Sequence, residues 1–315
     1  VIEFRWLAMA IIAAVLAVTA AMPVVVAPPP RLFGISAISD PASILAAARS
    51  TSGVVGRQID IINIYKAWVW KGDLPVAELT AIRNSGAVPE ITWEPWDPNA
   101  GTAQPRFTLQ QIVDGGYDAY IGTWAKQAAA WSTPLYLRFA HEMNGTWYPW
   151  ALGVDGNSPA LYVKAYAHVH RIFAAAGARN VRWVWSPHVM PQLDVAALAA
   201  SYPGPGLVDV VGVDGYISAS NTTASGWESP TQVFGPLLAA IAGIAPQTPV
   251  WINETGCSVR SALRAGCNSS IIDYFRSTTV SALMWFDLDD GRGTDWRLAP
   301  DSGTGVAARN GLRNW

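Results

Sequence analysis

Two glutamates stand just past apolar runs: Glu142 follows LYLRFAH and Glu254 follows PVWIN, and neither has an obvious basic partner in sequence. A pair of carboxyls of this kind suits hydrolysis of a glycosidic bond. One, protonated, delivers its proton to the leaving oxygen, while the other attacks the anomeric carbon and forms a covalent glycosyl-enzyme. Retention of configuration requires the two groups to lie about 5–5.5 Å apart. Burial among indole rings, and the negative charge of its partner, would both raise the pKa of the acid. The His141-Glu142 dipeptide alone also invites a zinc-protease reading. That reading fails because the second His of such a helix is due four positions on, where Gly145 stands.

Carboxyls distant in sequence must be brought together by regular elements, and the chain from Phe33 onward alternates short strands with Ala-rich helices. Candidate strands are Phe33–Ser36, Ile59–Ile64, Val88–Trp93, Leu135–Phe139, Val181–Trp185, Val208–Val213, Pro249–Asn253 and Ala282–Phe286. Helical stretches such as Leu109–Trp131, Ala160–Ala176 and Thr231–Ile244 lie between them. Eight such repeats predict an α/β fold, a (β/α)8 TIM barrel, with chemistry just past the C-terminal ends of its strands. Polar and aromatic residues cluster there: Trp93, Glu94 and Trp96 after the third run, His141 and Glu142 after the fourth, Asp214 and Tyr216 after the sixth, Glu254 after the seventh, Trp285 in the eighth. Strands four and seven face each other across a closed ring of eight.

Composition narrows the partners. Of 315 residues, 51% are apolar and 14% charged, and a formal net charge of −2 speaks against nucleic acid or an anionic surface. Sixteen Trp suit sugar rings, whose apolar faces stack on indoles. Trp93, Trp96, Trp147, Trp150 and Trp285 at strand ends are assigned to stacking; Trp183, Trp185 and Trp251 are assigned to the core. Residues 1–31 read as a leader: Arg5, an apolar run from Trp6 to Ala27, then three prolines. Cleaved signal peptide and membrane anchor through residues 6–27 both remain open, and either exports a catalytic domain of residues 32–315. Cys257 and Cys267, in an exported chain, predict a disulfide rather than a zinc site. No cofactor or metal is implied; Asp287, Asp289 and Asp290 read as a solvated loop rather than a calcium site, and His168 and His170 as structural. Asn144 and Asn253 fit glycosylation sequons by chance, since a glycan on either would block the cleft.

The run RFAHEMNGTWYPW, Arg138 to Trp150, resembles the acid/base motif of glycoside hydrolase family 26, the β-mannanase family that also holds mixed-linkage β-glucanases. NVRWVWSPH from Asn180, YPG at Tyr202, VDVVGVDGY from Val208 and PVWINETGC from Pro249 resemble further family elements in the same order, so the likeness runs from about Gly34 onward. The resemblance implies Glu142 as general acid/base and Glu254 as nucleophile. It implies Arg138, His141 and Trp147 shaping the site around the acid, Asp214 and Tyr216 on strand six with the Tyr hydroxyl near the nucleophile, and Trp285 as the platform under the reacting sugar. Two departures bear on the sugar: His188 stands where Asn is expected, and Glu94 brings a third carboxyl. The expectation is a monomeric, endo-acting retaining β-1,4-glycanase whose partner is a polysaccharide, β-mannan first and mixed-linkage β-1,3-1,4-glucan second. A non-catalytic carbohydrate-binding barrel is the rival from another class, opposed by the presence of both glutamates.

Overall fold

Runs dominated by β-branched and aromatic residues have too few polar atoms to face water on either side, and buried parallel strands are the outcome. The computed structural model describes residues 30–36, 41–220, 223–289, 294–313 and 315. Its strands are β1 (Leu32–Ser36), β2 (Ile61–Ala67), β3 (Val88–Glu94), β4 (Leu135–Phe139), β5 (Val181–Trp185), β6 (Val210–Asp214), β7 (Val250–Glu254) and β8 (Ala282–Trp285). They pair in parallel in chain order, and β8 returns to β1, closing a (β/α)8 barrel. Helices begin where the sequence supplies caps. Ser158 and Ser229 each accept from a backbone N–H of the next turn, with proline following, and Asp301 caps Ser302–Leu312. The single helix expected over Leu109–Trp131 is two, Leu109–Val113 and Asp118–Trp131. Gly115, at φ 84°, and Gly116 separate them, because a left-handed residue ends the first helix.

Side chains alternate along each strand, and this sorts lumen from outer wall. At the bottom of the lumen Ile61, Val184, Val210, Trp251, Ala282 and Met284 form an apolar plug. Gly34 completes it, since a Cβ there would lie 2.8 Å from the Ile61 carbonyl oxygen and 2.9 Å from Met284 Cγ. Higher up the same inward positions turn polar: Ser36, Asn63, Glu90, Thr92, Arg138, Ser186, Asp214 and Asn253 are all buried. The outward set, including Ile91, Trp93, Leu137, Phe139, Leu283 and Trp285, packs with the helices in a second, larger core.

Cys257 and Cys267 are bonded, tying the loop after β7 to the helix Ser261–Arg276. On the chain-entropy estimate, closing so short a loop contributes about 2–3 kcal/mol. Replacing both cysteines by serine should therefore lower Tm by roughly 5–10 °C; an unchanged melt would show that the crosslink constrains nothing in the unfolded chain. The apolar run Trp6–Ala27 and Asp290 lie outside the described residues. Among those described, no helix is long and apolar enough to cross a membrane.

Candidate active site

At the C-terminal ends of the strands a cleft of about 640 Å³ opens, lined by Tyr65, Glu94, Trp96, Pro98, His141, Glu142, Trp147, Tyr148, His188, Tyr216, Glu254, Phe286 and Trp296. Strict alternation would send Asn253 inward and Glu254 outward. A bulge prevents this: Val213 pairs with Ile252 but Asp214 with Glu254, leaving Asn253 as an extra residue on β7. Asn253 and Glu254 therefore both face inward. The Glu254 carboxylate accepts from Tyr65 Oη at 2.7 Å, from Tyr216 Oη at 2.5 Å and from the Arg138 guanidinium. Arg138 is itself held by Thr92 Oγ1 at 2.7 and 2.9 Å and by Asp214 Oδ2 at 2.7 Å.

Glu142 sits on a loop rather than a strand. Its φ of 53° is left-handed, uncommon for a residue with a Cβ and typical of strain kept at a working site. The Glu142 N–H donates to the Ser186 carbonyl at 2.6 Å, and the Gly145 N–H to the Glu142 carbonyl at 3.0 Å, which fixes the turn. Trp147 Nε1 donates to Glu142 Oε2 at 2.6 Å. Gly145 makes this possible, because a Cβ at that position would lie 2.5 Å from the Trp147 ring. His188 Nε2 stands 3.9 Å from Glu142 Oε1, and Asn144 holds the His188 backbone with two hydrogen bonds, 2.7 and 2.8 Å.

The two environments drive the carboxyls apart. Burial raises the pKa of Glu142, the charge of Glu254 adds to the rise, and His188 and Trp147 only partly oppose it. Burial would raise Glu254 too. There the Arg138 charge and hydrogen bonds from Tyr216, Arg138 and Tyr65 outweigh it, so its pKa falls below the usual carboxylate value. Desolvation also pushes Glu94 up to about 8, making it a neutral hydrogen-bond donor near pH 7. One carboxyl biased toward its acid form and one biased toward its carboxylate, facing a single cleft, can perform acid-assisted nucleophilic substitution at an acetal carbon.

A family profile, "Glycosyl hydrolase family 26", matches residues 60–260, more than half of the sequence. The chain belongs to glycosyl hydrolase family 26. Endoglucanase H of Acetivibrio thermocellus is 31% identical over 258 residues, covering 80% of this chain and 27% of that protein. A mannan endo-1,4-beta-mannosidase of Bacillus subtilis is 30% identical over 120 residues, covering 36% of this chain and 31% of that one. The matches thus span about a third or less of these relatives' own length. Among solved structures, a GH26 beta-mannanase from Bacteroides ovatus superposes with a TM-score of 0.66 at 14% identity, over 90% of this chain and 88% of that one. The catalytic domain of a GH26 endo-beta-1,4-mannanase from Bacillus sp. JAMB-750 gives 0.68 at 15%, over 90% and 86%. At such identities the structural likeness speaks to the fold alone.

In this family 26 chain, several residues singled out from sequence meet in the cleft: Glu94, His141, Glu142, Trp147, Tyr216 and Glu254 line it, with Arg138 and Asp214 beneath. Arg138, expected beside the acid, instead bonds the other glutamate. Trp93 and Trp285, expected at the cleft, do not reach it and are core residues instead. Strand parity turns both outward: Trp93 stacks on Trp124 at 4.6 Å, and Trp285 is fully buried with Nε1 donating to the Trp296 carbonyl at 2.8 Å. Phe286 and Trp296 supply the aromatic wall expected of Trp285. Trp150 is likewise buried, donating to the His141 carbonyl. Tyr65, Tyr148, Phe286 and Trp296 were missed. For Tyr65 the sequence holds a signal, since Ile61, Asn63 and Tyr65 alternate inward, but the expected strand stops at Ile64 whereas β2 runs to Ala67. Asn253 is fully buried, which excludes a glycan. Asp287 is committed to Thr51 Oγ1 and the Leu298 N–H, at 2.5 and 2.8 Å.

Donor atoms of His141, Glu142 and Asp214 lie within 4.8 Å of one another, and burial holds His141 neutral, the form that ligates metals. The Arg138 guanidinium, 2.7 Å from Asp214, sets a fixed positive charge against a cation at this point.

Proposed function

We propose that this chain is a retaining, endo-acting hydrolase of a β-1,4-linked polysaccharide, with Glu254 as nucleophile and Glu142 as general acid/base. The observation that carries the proposal is a pair of carboxyls on one aromatic-lined cleft in unlike surroundings: Glu254 accepts from Arg138, Tyr65 and Tyr216, whereas Glu142 accepts from Trp147 and touches no arginine or lysine among the described residues. Glu254 attacks the anomeric carbon as Glu142, steered by Trp147, protonates the departing oxygen. The Glu142 carboxylate then takes a proton from water, which displaces Glu254 from the sugar with a second inversion. Arg138, Tyr65 and Tyr216 hold the nucleophile's oxygens in place, while Trp96, Trp147, Tyr148, Phe286 and Trp296 offer ring faces to the sugars.

β-Mannan is the first substrate reading, from the motif around Glu142. A β-glucan is the second, favoured by the long alignment to Endoglucanase H, although that name belongs to a protein of which the match fills 27%. The two sugars differ in the C2 hydroxyl, and Glu94 is a candidate to read it. The apolar run Trp6–Ala27 and the Cys257–Cys267 bond support action outside the cytoplasm.

Incubation with galactomannan, lichenan, xylan and carboxymethylcellulose, with chromatography of the products, tests the substrate. Galactomannan cleavage supports the first reading and lichenan cleavage the second, while inertness toward all four overturns the proposal. Proton NMR during hydrolysis should show the β-anomer first; an α-anomer would remove the nucleophilic role of Glu254.

A further inference from the structure

Below the cleft lies a carboxyl that this reaction does not use. Glu90, on β3, is fully buried in the lumen, and its two oxygens accept from Asn253 Nδ2 at 3.0 and 2.9 Å. β3 and β7 are four strands apart in a ring of eight, so this contact crosses the barrel. Asn253 is the bulged residue, and it has no register partner on β6 or on β8. It stands outside the register of both neighbouring strands, and its side chain adds a restraint of its own. β6 clears the space with glycine: a Cβ on Gly212 would lie 3.1 Å from Asn253 Cβ and 2.6 Å from Ser186 Oγ.

A carboxyl here satisfies the Asn253 amide but has no contacting cation among the described residues. The cation acting on it, Arg138, is bonded instead to Thr92, Asp214 and Glu254. An apolar pair in place of Glu90 and Asn253 would fill the lumen at lower cost than a buried carboxyl without a contacting cation. We propose that Glu90 is a positioning residue for Glu254: it clamps Asn253 from across the barrel and so fixes the bulge that turns Glu254 into the cleft. This rests on the nucleophilic role given to Glu254 above.

Burial pushes Glu90 up to about 7 against the lowering by Arg138 and Asn253, with Glu254 adding to the rise. The ionisable groups facing it are Tyr136 and Arg138 from β4 and Glu254 from β7. At about pH 6, below that value, glutamine copies the length and the neutral form of Glu90 and keeps one oxygen to accept from Asn253.

The test compares Glu90→Leu, Glu90→Asp and Glu90→Gln with the wild type at that pH, on an aryl β-glycoside of the sugar the wild type accepts. Misplacing the nucleophile should cut kcat about 10–100-fold in the Leu and Asp variants, with KM changed by less than about 3-fold and Gln close to wild type. Aspartate keeps the chemistry but is one methylene too short to span the lumen, so it decides the matter if the Leu variant does not fold. Undiminished kcat in the Asp variant, a Gln variant as impaired as Asp, or an effect confined to KM would overturn the proposal. A crystal structure of the Asp variant gives a readout independent of turnover. Glu254 should have left Tyr216 and Arg138, and unchanged contacts overturn the proposal even if the wild type acts on no glycan, a result that would count separately against the enzymatic reading.

Discussion

Glu142→Ala and Glu254→Ala should both lose nearly all activity on a polysaccharide, then diverge on an aryl glycoside with a good leaving group. Proton donation is worth about 10²–10⁴-fold on a poor leaving group and little on an activated one. Glu142→Ala should therefore still glycosylate Glu254 and then stall, because no base activates water. Azide needs no deprotonation. It should restore turnover and give the β-glycosyl azide, the product of two inversions. Glu254→Ala offers no carboxylate to be glycosylated, so azide attacks the substrate directly and should give the α-azide. Product stereochemistry by NMR checks this; the same anomer from both variants would mean that the two roles are wrongly assigned.

Arg138→Met should be nearly as damaging for another reason. It leaves Asp214 and Glu254, both buried, without the cation that bridges them. Breaking a buried charge arrangement by removing one partner costs about 3–5 kcal/mol. The sign with pH is definite. Glu254 has a folded pKa below its unfolded value, so its contribution to stability is present above the usual carboxylate range and lost as pH falls through the depressed value. Glu142, raised by burial, behaves oppositely and weakens the fold as pH climbs from the usual carboxylate value through its folded one. Without Arg138, Glu254 should hold its proton to a pH about 1–3 units higher, moving the acid limb of the kcat/KM profile upward. Urea melts across pH and the kcat/KM profile measure both effects. An unmoved acid limb would show that the two tyrosines, not the arginine, hold the nucleophile ionised.

The ring of strands was legible in the sequence because buried parallel strands are short, apolar and regularly spaced. The expected and observed bounds of β4 and β5 coincide, and the others differ by no more than three residues at either end. The glutamates were legible because they break an apolar run at its end. What misled was the use of strand-end position without strand parity. Trp93 lies between inward Thr92 and Glu94, and Trp285 follows inward Met284, so period two already sends both indoles to the helices. The Glu90–Asn253 contact was beyond reach, since a bulge has no signature in WINE and nothing local links residues 163 positions apart. The partners of Arg138 were hidden likewise: they come from β3, β6 and β7, and only closure of the ring brings them to it.

The groups around the cleft come from β2, from β3 and the turn after it, from the turns after β4, β5 and β6, from β7 and from the chain beyond β8. A nascent chain thus carries Glu142 long before Glu254 exists, and on the roles proposed above it should be inert until the last strand docks. A polypeptide divided between Trp150 and β5 would yield two pieces, each with one of the two glutamates and neither with a complete centre. Turnover on rejoining would then serve as a reporter of ring closure.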